Sequence, residues 1–235
     1  VLSVVWLQTG LLTPGGSAVG ILAGSDGNKN RLQQQVMALP LLPPPLLLLQ
    51  VMVFEGTCYI TPLLGAYLAD SHWGRYKTIL VFSTIYLLGM ICLTTTSWLP
   101  GLTPGPTEDA SGLQCAVLMG ALAVIALGTG GIKPNVSAFG ADQFDENDPQ
   151  DKREKESFFN WFYLAINVGS LIACTVVVYV QDQISWTVGF ALPAAAMAMA
   201  VLLFLAGSRH YRHVAPTESP MARVVKVVAA ALTNR

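Results

Sequence analysis

Three short stretches carry residue types that could bind or gate a solute. In GTGGIKPNVSAFGADQF, Gly128 to Phe144, Lys133 closes a long apolar run. Ala110 to Ile132 carries no charge, and the next charged residue after Lys133 is Asp142. A lysine that deep in apolar sequence has two readings. It is an anchor whose stem snorkels to a surface, or it is a working group, because ionisable side chains inside a membrane are costly and mark binding or relay positions by default. A phosphate loop is excluded, since the G-K-[ST] ending is missing and no strand precedes the glycines.

The second stretch, FFNWFYLAINVGSL from Phe158 to Leu171, holds one asparagine, Asn167, in an otherwise apolar run. A buried amide is costly without a hydrogen-bond partner, so Asn167 either joins helices or faces a wet cavity and binds a polar ligand. The third, GAYLADSHWGRYK from Gly65 to Lys77, places Asp70, Gly74, Arg75 and Lys77 in a turn. Asp70 can accept hydrogen bonds at a helix end and Arg75 offers a rigid fork to a carboxylate. The plainer reading is a turn held at the membrane surface by positive charge.

These residues must be positioned by membrane helices. The chain has 235 residues, 53% hydrophobic and only 11% charged, whereas a soluble domain carries about 25% charged residues. Several uncharged windows reach the roughly 20 residues needed to cross a bilayer. Runs of this length and apolarity are helical, because only helices and closed barrels satisfy backbone groups in lipid. Five spans are expected, at about 46–69, 78–98, 113–139, 157–180 and 187–207. The third leaves Lys133 nearly two turns, roughly 10 Å, inside its end. The fold class is therefore an all-α membrane protein with about five transmembrane helices; a soluble enzyme is excluded and no nucleic-acid partner is expected.

Charge sets the orientation. Arg75 and Lys77 follow the first span, Lys152, Arg153 and Lys155 follow the third, and the tail holds Arg209, Arg212, Arg223, Lys226 and Arg235. The two intervening loops have neither lysine nor arginine. By the positive-inside rule the basic segments are cytoplasmic and the loop containing Glu108 is not. Asp148 before Pro149 reads as an N-cap with proline at the first helical position, and so as a short surface helix. Residues 1–50 are Pro/Leu-rich and receive no functional assignment. The run MARVVKVVAAAL near the C-terminus reads as a short amphipathic helix. Cys58, Cys92, Cys115 and Cys174 have neither zinc-ligand nor disulfide-framework spacing and read as small buried side chains.

GAYLADSHWGRYKTILVFSTIYLLG, GTGGIKPNVSAFGADQFDENDP and FFNWFYLAINVGSL together resemble the proton-coupled oligopeptide transporter family of the major facilitator superfamily, most closely its plant nitrate/peptide branch. The likeness runs from about Gly56 to the C-terminus. His72, where that family has an apolar or aromatic residue, reads as an exposed histidine in a cytoplasmic turn.

The resemblance implies a twelve-span fold in two six-helix halves, with this chain as part of the N-terminal half. Residues 51–208 would be the family's second to sixth helices, and 209–235 a basic cytoplasmic tail beginning the linker between halves. It implies proton-coupled symport of small peptides, nitrate or related solutes by alternating access, with the proton as coupling ion and no other cofactor. The partners would be the small-molecule substrate and the lipid bilayer, in the plasma or vacuolar membrane. Lys133 would attract the substrate's carboxylate or nitrate and pair with a glutamate of the family's first helix. Asn167 would contact peptide, Tyr59 would face the cavity, and Asp70, Gly74, Arg75 and Lys77 would form the cytoplasmic gate.

Three departures stand against this. The E-x-x-E-R motif of the family's first helix is absent from the chain, and so is a second half. Glu55 also stands where an uncharged residue is expected. The expectation is therefore a fragment of a transporter, with a non-transporting membrane protein, inert or bound to a full-length relative, as the alternative.

Overall fold

The structure, a computed structural model, describes residues 44–99, 112–145, 147–214 and 230–231. All regular elements among the described residues are helical. Helix α1 spans Pro44–Leu68 and runs through a π-helical turn, Ala69–Trp73. Its two leading prolines occupy the first turn, where a missing N–H costs no intrahelical bond. Gly74 ends the turn at φ 77°, a left-handed conformation open to glycine. Helix α2 follows at Arg75–Trp98 and α3 at Gly112–Ala141. Helix α4, Pro149–Ile172, continues through a second π-helical turn, Ala173–Val177, into the short α5, Val178–Gln183. Helix α6 is Trp186–Ala206, closed by a 3₁₀ turn at Gly207–Arg209.

Four segments are long and apolar enough to cross a membrane: Arg75–Trp98, Gly112–Ala141, Pro149–Gln181 and Thr187–Arg209. With the 25-residue α1, these correspond to the five expected spans. The amphipathic stretch near the C-terminus lies outside the described residues except at 230–231, and residues 1–43 lie outside them entirely.

Asp148 does cap a helix: its Oδ1 accepts from the Gln150 N–H at 2.8 Å, with Pro149 next. The helix it starts is not the short surface helix expected but α4 itself. Neither glycine nor proline occurs from Gln150 to Val168, so the charged first turns pass directly into the apolar span. The turn before it is fixed by Asp145, whose Oδ1 accepts from the Asn147 backbone and side-chain N–H groups, both at 3.0 Å. Those bonds hold the Asp145 carboxyl below the usual carboxylate range.

Helix α2 occupies the centre. Its Phe82, Tyr86, Met90 and Leu93 form one buried cluster with Ala121, Ile125 and Ile132 of α3 and Ala194, Met197 and Val201 of α6. Thr187 of α6 donates to Ser97 O of α2 at 2.9 Å, joining the C-terminal end of α2 to the start of α6. Helix α4 buries none of its residues. The cysteines divide: Cys58 is buried as expected, Cys92 half-buried, and Cys174 exposed. Cys174 departs from the buried reading because α4 and its continuation present that face outward. Cys115 lies among the residues whose side chains are not described.

Candidate functional site

The site is built on the seam between α1 and α3. A Cβ at Gly65 would lie 2.2 Å from Gly130 O, and one at Gly130 would lie 2.6 Å from Thr61 Cβ, so these two glycines let the backbones touch. In membranes small residues at such seams supply the packing that water exclusion supplies elsewhere. Pro134 has no N–H to give to the carbonyl four residues back, Gly130 O, and that oxygen is the one turned toward Gly65. The α1 backbone thus fills the place where the helix ladder lacks a donor. Thr61 Oγ1 reaches Ala126 O at 3.1 Å, and the buried Asn135 Nδ2 donates to Gly65 O at 3.2 Å and Gly131 O at 2.9 Å. Two further glycines bring α3 onto α2, Gly128 against Tyr86 and Gly131 against Phe82.

This frame holds Lys133 and Tyr59 together. Lys133 Nζ lies 5.2 Å from the centre of the Tyr59 ring, within cation–π range. Lys133 is half-buried and Tyr59 is 68% exposed. Both helices end at the same surface, because Arg75, just beyond α1, hydrogen-bonds Ala138 O near the end of α3 at 3.4 Å. Tyr59 sits nine residues before Leu68 and Lys133 eight before Ala141, so they lie roughly 14 and 12 Å from those residues along their helices. An ammonium snorkelling to the near surface would turn toward that end; this one leans on a ring at its own depth.

Asn167 stands on the exposed α4, its Nδ2 donating to Tyr163 O one turn back at 2.8 Å. The structure brings Tyr59 and Lys133 together and does not bring Asn167 to them.

The turn residues form a second constellation at the helix ends. Arg75 Nη1 donates to Asp142 Oδ1 and to Ala138 O, while its Nε lies 3.7 Å from Asp70 Oδ1. Gly74 supplies the positive φ that swings Arg75 toward α3. Lys77 is exposed, as is His72, whose ring lies 5.7 Å from that of Tyr67. Sequence reasoning left Asp142 out of this group. Its signal is a carboxylate in the first residue past an apolar helix, where an arginine from the neighbouring turn can reach it.

A family model described as the POT family matches residues 76–235. Protein NRT1/PTR FAMILY 8.1 of Arabidopsis thaliana is 54% identical over 182 residues, covering 76% of this chain and 32% of the relative. NRT1/PTR FAMILY 8.5 of the same plant is 49% identical over 189 residues, covering 77% and 32%. The chain thus spans about a third of the length of the curated relatives it matches. Among solved structures, the POT family transporter PepTSo superposes with a TM-score of 0.62 at 28% identity, over 92% of this chain and 37% of that one. An auto-inhibited POT family peptide transporter gives 0.64 at 25% identity, over 92% and 37%.

Proposed function

We propose, since this chain belongs to the POT family, that it forms the section of a proton-coupled transporter that carries half of a solute site and one cytoplasmic gate. On this reading α1, α2, α3, the α4–α5 span and α6 are the family's second to sixth helices, and the chain from residue 209 begins the linker between halves. The solutes are small peptides, nitrate or related anions, carried with protons across the plasma or vacuolar membrane by alternating access.

The observation that carries the reading is Lys133 Nζ held at depth over Tyr59. The ring face orients the ammonium, and on this reading its positive charge is what a solute carboxylate or nitrate meets. Exposure of Tyr59 leaves a route for solute to that charge. Asn167 adds an amide able to contact a peptide bond, once α4 faces the same cavity in the assembled transporter. Asp70, Gly74, Arg75 and Lys77 form the gate, with Asp142 as the carboxylate that receives Arg75. Alternating access requires two bundles rocking about the site, and the Arg75–Asp142 pair keeps α2 and α3 moving as one of them.

A second reading, a membrane protein that associates with a full-length relative and does not transport, draws on the outward face of α4, which includes Trp161, Leu164, Val168 and Leu171.

The test is a chimera in which the aligned segment of this chain replaces its counterpart in the 54% identical Arabidopsis relative. Labelled dipeptide and nitrate uptake is measured in vesicles with and without an inward proton gradient. Gradient-driven accumulation of either solute is expected. A correctly inserted chimera that accumulates neither supports the second reading instead.

A further inference from the structure

The chain leaving α6 folds back over the gate. Gly207–Arg209 turns tightly, with the His210 N–H donating to Gly207 O at 2.9 Å, and a Cβ at Gly207 would lie 2.5 Å from the Tyr211 hydroxyl. The next residues lie against the cytoplasmic ends of α2 and α3. The Tyr76 ring stacks on Phe204 at 5.0 Å and receives the His213 ring edge-on at 4.8 Å. Phe139 packs edge-on against both Phe204, at 5.7 Å, and Tyr211, at 5.3 Å. Gln143 then grips the backbone: its Oε1 accepts from the Arg212 N–H at 2.9 Å, and its Nε2 donates to Arg212 O at 3.3 Å and Phe139 O at 3.1 Å. Val214 O ends beside Gly74, 3.9 Å from where a Cβ would stand.

The two residues that receive this segment are the immediate neighbours of the two that make the gate pair. Tyr76 follows Arg75, and Gln143 follows Asp142. We propose that Gly207–Val214 is a strap, and that its docking on Gln143 and Tyr76 positions Asp142 to receive Arg75. Gln143 is the positioning residue. Two hydrogen bonds to the backbone of one residue, Arg212, fix its side chain and so the turn just past Ala141, where the Asp142 N–H still donates to Ala138 O at 3.0 Å but the Gln143 N–H reaches Gly140 O only at 3.4 Å. The aromatic group does the same for the first turn of α2. Tension on the chain beyond Val214 would therefore be felt at the ion pair. That this pair gates a solute path rests on the transporter reading; the mechanical link does not.

Hydrogen exchange of the 235-residue chain in lipid nanodiscs, read by mass spectrometry, separates the two and needs no transport. Gln143→Ala is expected to speed exchange of the amides of 211–214 about fivefold, the effect of losing hydrogen bonds that are each modest net contributors. Arg212→Pro removes the N–H from the strap side without touching α3, so a Gln143 variant that misfolds does not end the test. Arg212→Pro should also speed exchange at 75–79 and 138–143, and should add nothing there in an Asp142→Asn background. Unchanged exchange at 75–79 and 138–143, or the same increase in both backgrounds, would overturn the proposal. Loss of the strap's effect only where Asp142 is absent supports it, whatever the transport assay returns.

Discussion

The Lys133 ammonium and the Tyr59 ring meet 5.2 Å apart, at matching depth in two helices that end at the same surface. The contact gives a graded expectation. Tyr59→Phe keeps the negative ring face and Tyr59→Leu removes it. In the chimera, Tyr59→Leu should raise the apparent KM for solute about fivefold, as expected for a cation–π contact of about 1 kcal/mol. Tyr59→Phe should stay near the parent value. Equal losses from both would place the effect in the hydroxyl and not in the ring.

The α1–α3 seam should rank glycine substitutions by what a new methyl group meets. At Gly65 it meets backbone, Gly130 O and the Gly131 Cα, neither of which can step aside. At Gly131 it meets the Phe82 Cβ and Cγ, the root of a buried side chain that rotation cannot clear, and at Gly120 nothing lies within 4 Å. Gly65→Ala should cost about 2 kcal/mol or more and lower the thermal midpoint by about 5 °C. Gly131→Ala should cost a similar amount and Gly120→Ala nothing measurable. Thermal unfolding followed by thiol-reactive fluorescence would read the order, and an equal fall at Gly65 and Gly120 would contradict the seam.

Arg75 and Asp142 should be energetically coupled. Their side chains are 33% and 17% exposed, enough for water to screen the charge but not to remove the bond. A double-mutant cycle with Arg75→Ala and Asp142→Ala should return a coupling of about 1 kcal/mol. The Asp70 cycle should return less, because its contact with Arg75, at 3.7 Å, is longer than a hydrogen bond. Full additivity at Asp142 would remove it from the gate.

Much of the fold could be read directly from residue order, because lipid permits one backbone solution for runs this apolar and basic residues mark alternate loops. Lys133 announced itself by its isolation, and Arg75 by its place in a glycine turn. Asp142, Gln143 and Tyr76 did not, since their roles depend on which helix ends meet in space. The Asp148 cap was legible, but the length of the helix behind it was not. A charged first turn looks like a surface helix until packing shows that it continues. Asn167 read as buried because its neighbours are apolar, yet apolar neighbours on a membrane helix also face lipid or absent helices.

Orientation can be checked by single cysteines at two helix starts. Leu113→Cys, at the start of α3, should react with impermeant maleimide only from the non-cytoplasmic side. Ser157→Cys, in the charged early turns of α4, should react only from the cytoplasm. The alternating lysines and arginines motivate both expectations. Labelling of Leu113→Cys from the cytoplasm alone would reverse the topology.

The central claim, that Lys133 is a working charge and not a surface anchor, is tested most directly by uptake through the chimera carrying Lys133→Ala, beside Lys133→Arg and the parent. Lys133→Ala should abolish most gradient-driven accumulation of dipeptide or nitrate while leaving membrane insertion intact. Lys133→Arg should also fall well below the parent, because a broad planar fork does not replace a compact ammonium over one ring face. Parent-level uptake in Lys133→Ala, at equal amounts of inserted protein, would contradict the account.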